Sequence, residues 1–351
     1  MKLTHFRTPL FSSLLVLMAA CSTTSNRDKV AIVKPQPVPV TNPGYGPTTY
    51  SGEFAKPAVL EPAVEFWRKT YAVWRRSEVA IHDDRNLDVI YEVVTLPGNV
   101  GEGLTNQQKD VMNQRKEFWK AQLAALENKV RYGAPLNSND NQILAKIEAS
   151  GKQSAKFING ASERVRSQRG TRERFKRGLE ISGRYDLQFR KIFREAGLPE
   201  DLAYLPHVES SYQLNAKSSA GAVGVWQFTK VAAQTFMPGH ESVEHRSDPF
   251  IAANGAARYL THAYSKLGNW PAAVTSYNHG IGGMKRAQNT MGSDFNRIVD
   301  EYDGPAFGFA SRNYYAQFLA AREIANNPHH YFSEGVAYEA PLSANQYLAS
   351  R

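Results

Sequence analysis

The chain contains one cysteine, Cys21, so whatever it folds into forms without an internal disulfide and must be held by its hydrophobic core. That core can be large. With 351 residues, of which 42% are hydrophobic, the chain is long enough for about two domains and too apolar to stay disordered. Its formal charge of +9 favours polyanions in general, whether anionic lipid, acidic polymer or nucleic acid, and does not choose among them.

The position of the cysteine narrows the setting. Lys2 and Arg7 precede an apolar run from Phe11 to Ala20 that is short for a membrane span and has the shape of a secretory signal. Leu17-Met18-Ala19-Ala20-Cys21 resembles a bacterial lipobox, which implies cleavage before Cys21, a lipid on that residue and, with Ser22 following, sorting to the outer membrane. The alternatives are an uncleaved signal anchor or a plain signal peptide. From Ser22 to about Ala58, Ser, Thr, Pro, Gly and Asn dominate, as in a linker that holds a globular body away from a membrane.

Structured sequence follows. Val64, Trp67, Tyr71 and Trp74 recur at helical spacing after Glu61-Pro62, whereas Val89, Tyr91, Val93 and Thr95 alternate as in a strand. A long helix is predicted over Asp110 to Arg131, with Met112, Trp119, Leu123, Leu126 and Val130 on one face. These apolar positions read as ordinary core, and nothing in residues 59–150 points to chemistry of its own. Between Glu163 and Arg194 basic residues crowd together, interleaved with Glu163, Glu173, Glu180 and Asp186. They read either as solvated helix faces with nearby acidic partners or as an electrostatic guide toward an acidic polymer or anionic lipid. Nucleic acid is not expected, because the chain reads as exported and carries no nucleic-acid-binding motif.

Chemistry concentrates in Leu202 to Phe228. Glu209 ends an apolar, helix-compatible run (Leu202, Ala203, Leu205, Val208) and is followed at once by Ser210, Ser211 and Tyr212. A carboxyl in that setting is partly desolvated, holds its proton toward neutral pH and can act as a general acid. The small residues Ser218, Ser219, Ala220, Gly221 and Gly224 let backbone approach something bulky before Trp226 and Gln227 offer a flat face and an amide. The stretch reads as a sugar-sized site. Downstream, Asp248-Pro249 has the form of a helix N-cap followed by Pro at N1, so Asp248 is structural by default. Tyr277-Asn278 stands at the mouth of a glycine-rich turn, and Ser311 to Tyr315 leads into a last long helix. His207 forms no zinc-ligand spacing with its neighbours, and neither metal nor cofactor is expected.

Taken in order, Glu209-Ser210 with Tyr212, the Ala216 to Ser218 turn, Gly221-Ala-Val-Gly-Val-Trp226-Gln227, Asp248-Pro249, Tyr277-Asn278 before glycine, and Arg312-Asn313-Tyr314 resemble the catalytic domain of family 1 lytic transglycosylases. The resemblance covers residues 194–326, a little over a third of the chain. It implies a mainly α, lysozyme-like fold of the goose-type lysozyme and soluble lytic transglycosylase kind, preceded by a smaller, mostly helical N-terminal region with a little β. The implied divisions are a signal peptide (1–20), a lipidated N-terminus and linker (21–58), an N-terminal accessory region (59–160), a basic helical connector (161–193), the catalytic domain (194–326) and a C-terminal tail (327–351). The expected substrate is peptidoglycan, cut between N-acetylmuramic acid and N-acetylglucosamine without water to leave a 1,6-anhydromuramyl end. By position, Glu209 is the acid and base, Ser218 lies near the substrate acetamido group, Gln227, Tyr277 and Tyr314 line the cleft, and Asn278 supports its turn. Trp226 either stacks on a sugar or packs in the core. Two positions depart from the family pattern: His279 replaces the usual Ala, and Ala310 replaces a frequent acid. Two other outcomes remain open on sequence: a goose-type hydrolase, which needs a second acid for which Glu241, Glu244 and Asp248 are candidates, and a peptidoglycan-binding lipoprotein that keeps the fold without the reaction. Protein partners are not indicated.

Overall fold

The computed structural model describes residues 53–342. The signal peptide, Cys21 and most of the linker expected from sequence lie outside the described residues.

Two hydrophobic cores share the chain, and their membership cuts across the divisions read from sequence. Helix α1 (Glu61–Arg68) begins with Pro62 in its first turn and runs into one turn of π-helix, Lys69–Val73. Strands β1 (Glu78–Asp83) and β2 (Ile90–Thr95) follow. Helix α2 (Asn106–Tyr132) starts at a capping box in which Thr105 and Gln108 satisfy each other's backbone N–H. Helices α3 (Ser138–Ala149) and α4 (Ser154–Ile158) lead to strand β3 (Val165–Arg169). The strands form one antiparallel sheet of order β2-β1-β3. Leu123 and Leu126 of α2 and Ile143 and Ile147 of α3 close the second core over this sheet.

Strand β1 lies between the cores. Val79 and Ile81 belong to the second core, while Ala80 belongs to the main one and the His82 ring meets Phe66 at 4.5 Å. A strand buried on both faces has no polar alternation, which is why the sequence does not announce it. In β2 the expected alternation fails after Tyr91. The register slips between Ile81 and His82, one residue of β2 is left over, and the inward set passes from Val89 and Tyr91 to Val94, leaving Val93 exposed.

The rest is helical: α5 (Arg172–Ser182), α6 (Asp186–Glu195), α7 (Leu205–Glu209), α8 (Lys230–Phe236), α9 (Val243–Ser247), α10 (Pro249–Leu267), α11 (Trp270–His279), α12 (Ile281–Met291), α13 (Phe295–Glu301), α14 (Phe309–Asn326) and α15 (Pro328–Tyr331). The chain is thus mainly α with a little β, as expected. The buried centre of α14 (Tyr314, Tyr315, Phe318, Leu319) organises the main core, and α1 and α11 pack against this helix.

Three expected boundaries do not coincide with the packing. Phe54, assigned to the linker, is 4% exposed and packs on Trp270 and Phe318, and the Ala55 carbonyl accepts a bond from the Tyr315 hydroxyl at 3.0 Å. Val64, Trp67, Tyr71 and Trp74, assigned to the accessory region, belong to the main core. The connector is not helical throughout, because β3 occupies its first part. The C-terminal segment opens with the short helix α15, and its described part is held: Phe332 is fully buried and Glu339 N–H donates to the Glu180 carbonyl at 2.8 Å.

The basic cluster is largely paired. Arg164 meets Asp83 at 2.7 Å, Arg172 and Lys176 meet Glu334, and Arg190 bridges Asp186 and Asp201. Arg194 meets Glu200 at 2.6 Å. Arg164 ties the turn before β3 to β1, and Arg172 and Lys176 tie the C-terminal segment to α5, which is the solvated, partnered reading rather than the guiding one.

Candidate active site

Glu209 is the last residue of a five-residue helix that a first-turn proline starts and a pair of left-handed residues ends. Pro206 sits in its first turn, Leu205 is fully buried, and the two residues after Ser210 leave the right-handed region: Ser211 has φ of 51° and Tyr212 of 56°. Non-glycine residues in that conformation cost on the order of 1 kcal/mol each and persist only where the surroundings hold them. Here they are held. The Tyr212 hydroxyl donates to the Ala203 carbonyl at 2.9 Å, and Ser210 Oγ donates to the Val225 carbonyl at 2.8 Å. Gly178 of α5 admits the turn, since a Cβ there would stand 2.7 Å from the Ser211 carbonyl oxygen.

The loop from Ala216 to Phe228 folds on itself through bridges between Lys217 and Val223 and between Val223 and Phe228. Ser218 Oγ accepts from Ala222 N–H at 3.0 Å, leaving its own proton to offer. Gln227, at φ of 50°, spends its amide N–H groups on the Gly224 and Ala216 carbonyls, and its Oε1 has no protein hydrogen bond among the described residues. Gly224 combines φ of +75° with a Cβ position 2.8 Å from the Arg246 carbonyl. Buried Arg246 then pins the loop, donating to the carbonyls of Gly221 at 3.0 Å and Phe228 at 2.8 Å. Sequence reading assigned Arg246 no role, and a lone arginine beside the helix cap gave no signal for one.

Tyrosines from three other elements surround the acid. The Tyr314 hydroxyl from α14 donates to Glu209 Oε1. Tyr277 from α11 donates to the Trp226 carbonyl at 3.0 Å, and its ring meets Tyr259 of α10 at 5.2 Å in an edge-on arrangement. The Glu209 charge acts on Tyr314, Tyr277 and Tyr259 after burial, and all three phenols are pushed up, Tyr259 to about 12. Tyr71, from the π turn in the N-terminal segment, is raised in the same way. Sequence reading took Tyr71 for core alone.

Glu209 itself is half-buried, and desolvation pushes it up to about 7 against an opposing pull from the Tyr314 hydrogen bond. Because Tyr314 donates to one carboxyl oxygen, a proton held by the acid sits on the other, where it can be given away. His207, two residues earlier, faces elsewhere. It is 2% exposed, lines a cavity of about 150 Å3 with Tyr204, Val336 and Tyr338, and burial pulls it down to about 3, so it stays neutral.

The remaining expected positions divide. Asn278 is exposed and its Oδ1 accepts from Ser311 Oγ at 2.8 Å, tying the turn to α14. His279 fits the same turn, edge-on to Phe307 at 5.0 Å, and Ala310 is exposed. Trp226 is not a sugar platform: it is fully buried between Phe189 and Phe193, and its Nε1 donates to the Pro249 carbonyl at 3.1 Å. Both ring faces are taken by the core. The candidate second acids are occupied by backbone. Asp248 accepts from Phe250 and Ile251 N–H as the α10 cap, and Glu241 accepts from Gly239 N–H at 2.8 Å. Glu244 is exposed and held down by its own backbone N–H. Burial and Tyr314 account for the state of Glu209, with no second carboxylate contributing among the described residues.

Residues 188–297 match the Transglycosylase SLT domain family. The chain is 26% identical over 141 residues to membrane-bound lytic murein transglycosylase D of Escherichia coli (strain K12), a match covering 39% of this chain and 30% of that protein. The same figures hold for the protein of that name from Escherichia coli O6:H1. The chain therefore spans under a third of the length of these curated relatives.

Proposed function

We propose, starting from the transglycosylase SLT domain that this chain carries, that it is a lytic transglycosylase of peptidoglycan with Glu209 as its single acid and base. The observation that carries the reading is a lone desolvated carboxyl, held by one phenol and without a carboxylate partner among the described residues. A hydrolase working through two carboxylates uses the second as nucleophile or as base for water. One carboxyl suffices if the nucleophile is already on the substrate.

In the proposed reaction Glu209 gives its proton to the glycosidic oxygen between N-acetylmuramic acid and N-acetylglucosamine, and the bond from that oxygen to muramyl C1 breaks. The carboxylate then takes the proton of the muramyl C6 hydroxyl as O6 bonds to C1. The acid is regenerated, no water is consumed, and a 1,6-anhydro end remains. A resting state near half protonation at neutral pH suits a group that must donate and then accept. Ser218 and Gln227 are proposed to meet the substrate with the hydroxyl proton and amide oxygen their loop leaves available. Tyr277 and Tyr314 line the cleft, and Asn278 fixes its turn.

The test is digestion of purified sacculi by the mature chain and by Glu209→Gln, with fragments identified by mass. Anhydromuramyl fragments from wild type alone are expected. Absence of such ends, or full release by the variant, sinks the proposal. The same reading places the enzyme on the periplasmic face of the outer membrane through a lipid on Cys21, supported by the lipobox and by a relative whose name is membrane-bound. Palmitate labelling that survives Cys21→Ala would remove that support.

A further inference from the structure

Tyr71 reaches the site from outside residues 188–297. It belongs to the one π turn among the described residues, Lys69–Val73, and it is 6% exposed. Such turns interrupt α-helices at some cost and recur at functional positions. The Tyr71 ring stacks on Phe175 of α5 at 4.7 Å and 19°. Phe175 in turn stacks on His207 at 5.1 Å and 29°, and His207 is on α7 with Glu209. On the other side, the Tyr71 hydroxyl donates to Gln317 Oε1 at 3.2 Å. Gln317 lies one helical turn beyond Tyr314 on α14. Tyr71 is therefore fitted between the helix that carries the acid and the helix that carries its hydrogen-bond donor.

The ionisable groups on the elements packed around Glu209 can be named. Tyr314 comes from α14, Tyr277 from α11, Tyr259 from α10 and Tyr71 from the π turn. From α5, Arg174 donates to the Ser210 carbonyl at 3.1 Å. On its own helix, His207 is neutral. Four of these groups are phenols, uncharged through the working range. Their contribution to a carboxyl beside them is to exclude water and to offer hydrogen bonds, and Tyr71 gives its hydrogen bond to Gln317 instead.

We propose that Tyr71 is a positioning residue of the active site: its ring fills the space between α7 and α14 and keeps water from the Glu209 carboxyl, which makes the segment Phe54–Trp74 part of the catalytic unit. This rests on the reading of Glu209 as the acid. It also accounts for the depth at which that segment is set in the main core, with Phe54, Trp67 and Tyr71 all buried.

The experiment is a carboxyl-carbon NMR titration of Glu209 in the full chain, with Glu209→Gln to assign the signal, beside sacculus release at pH 5 and pH 7. Tyr71→Phe keeps the ring and is expected to leave the titration midpoint in place. Tyr71→Ala and Tyr71→Leu admit water, and the midpoint is expected to fall by roughly one pH unit. Release then drops about fivefold at pH 7 and hardly at pH 5, because the protonated fraction changes only near the midpoint. A residue that merely supports the fold lowers thermal stability and depresses release equally at both pH values. Unchanged midpoints in Tyr71→Leu, and in Tyr71→Ala if it folds, overturn the proposal. Should wild type release nothing, the functional reading fails, and the titration still decides the role of Tyr71.

Discussion

Replacing Glu209 by Gln removes a carboxyl that the fold keeps from ionising, so the variant should be inactive and, at high pH, more stable than wild type. Burial pushes Glu209 from 4.5 up to about 7. Between those values the folded chain keeps a proton that the unfolded chain releases, so stability falls as pH rises through that window. The full penalty is absent below about pH 4 and complete above about pH 8. Its size is roughly 3 kcal/mol, an upper limit because Glu209 is half-buried and water relaxes around it. Gln does not ionise, and its amide oxygen still accepts from Tyr314. Urea unfolding of both proteins at pH 4, 6 and 8 isolates the effect, since all other titrating groups are shared. The expected result is near equality at pH 4 and a gap that widens to as much as roughly 3 kcal/mol at pH 8. A difference that stays constant across the range would mean that Glu209 titrates as an ordinary carboxyl, and the argument for a desolvated acid would fail.

Two further substitutions test the surroundings. Tyr314→Phe removes the one interaction that pulls Glu209 down, so the midpoint should rise by roughly one pH unit, and a pH–rate profile of sacculus release should extend to higher pH while its maximum falls about tenfold. Asp248→Ala should cost about 1 kcal/mol through loss of the α10 cap and leave the pH profile in place. A hundredfold loss of activity in a folded Asp248→Ala protein would instead favour a second acid and hydrolysis.

What could be read from sequence follows from where physical signals are local. Glu209 was legible because an acid at the end of an apolar run is rare, and Asp248 because a cap and a first-turn proline are adjacent in sequence. Strand β1 was not legible, because Val79, Ala80 and Ile81 are buried on both sides and carry no alternation. The slip of β2 at Tyr91 depends on its partner strand, which no window on β2 contains. Trp226 had two readings of equal standing, and only packing against Phe189 and Phe193 decides between them. Tyr71 followed a helical apolar period correctly and is indeed core, yet its neighbours at Phe175 and Gln317 are more than a hundred residues away. Distance along the chain, rather than weak chemistry, hid the contribution of the N-terminal segment.

The charged residues carry the same lesson. Eleven Lys and Arg residues between Glu163 and Arg194 suggested a surface for polyanions. Several of their partners, including Asp83, Glu334 and Glu339, come from segments far away in sequence. Such pairs are worth little individually at an exposed surface, but here they join the C-terminal segment to α5 and the turn before β3 to β1.

The most direct test of the account is the origin of the oxygen at the new muramyl end. Sacculi digested by the wild-type chain in heavy-oxygen water should yield fragments lighter by one water than their hydrolytic counterparts and free of the heavy isotope at C1. Heavy oxygen at C1 of a reducing muramyl end would show that water is the nucleophile, and the single-acid, intramolecular mechanism would be contradicted.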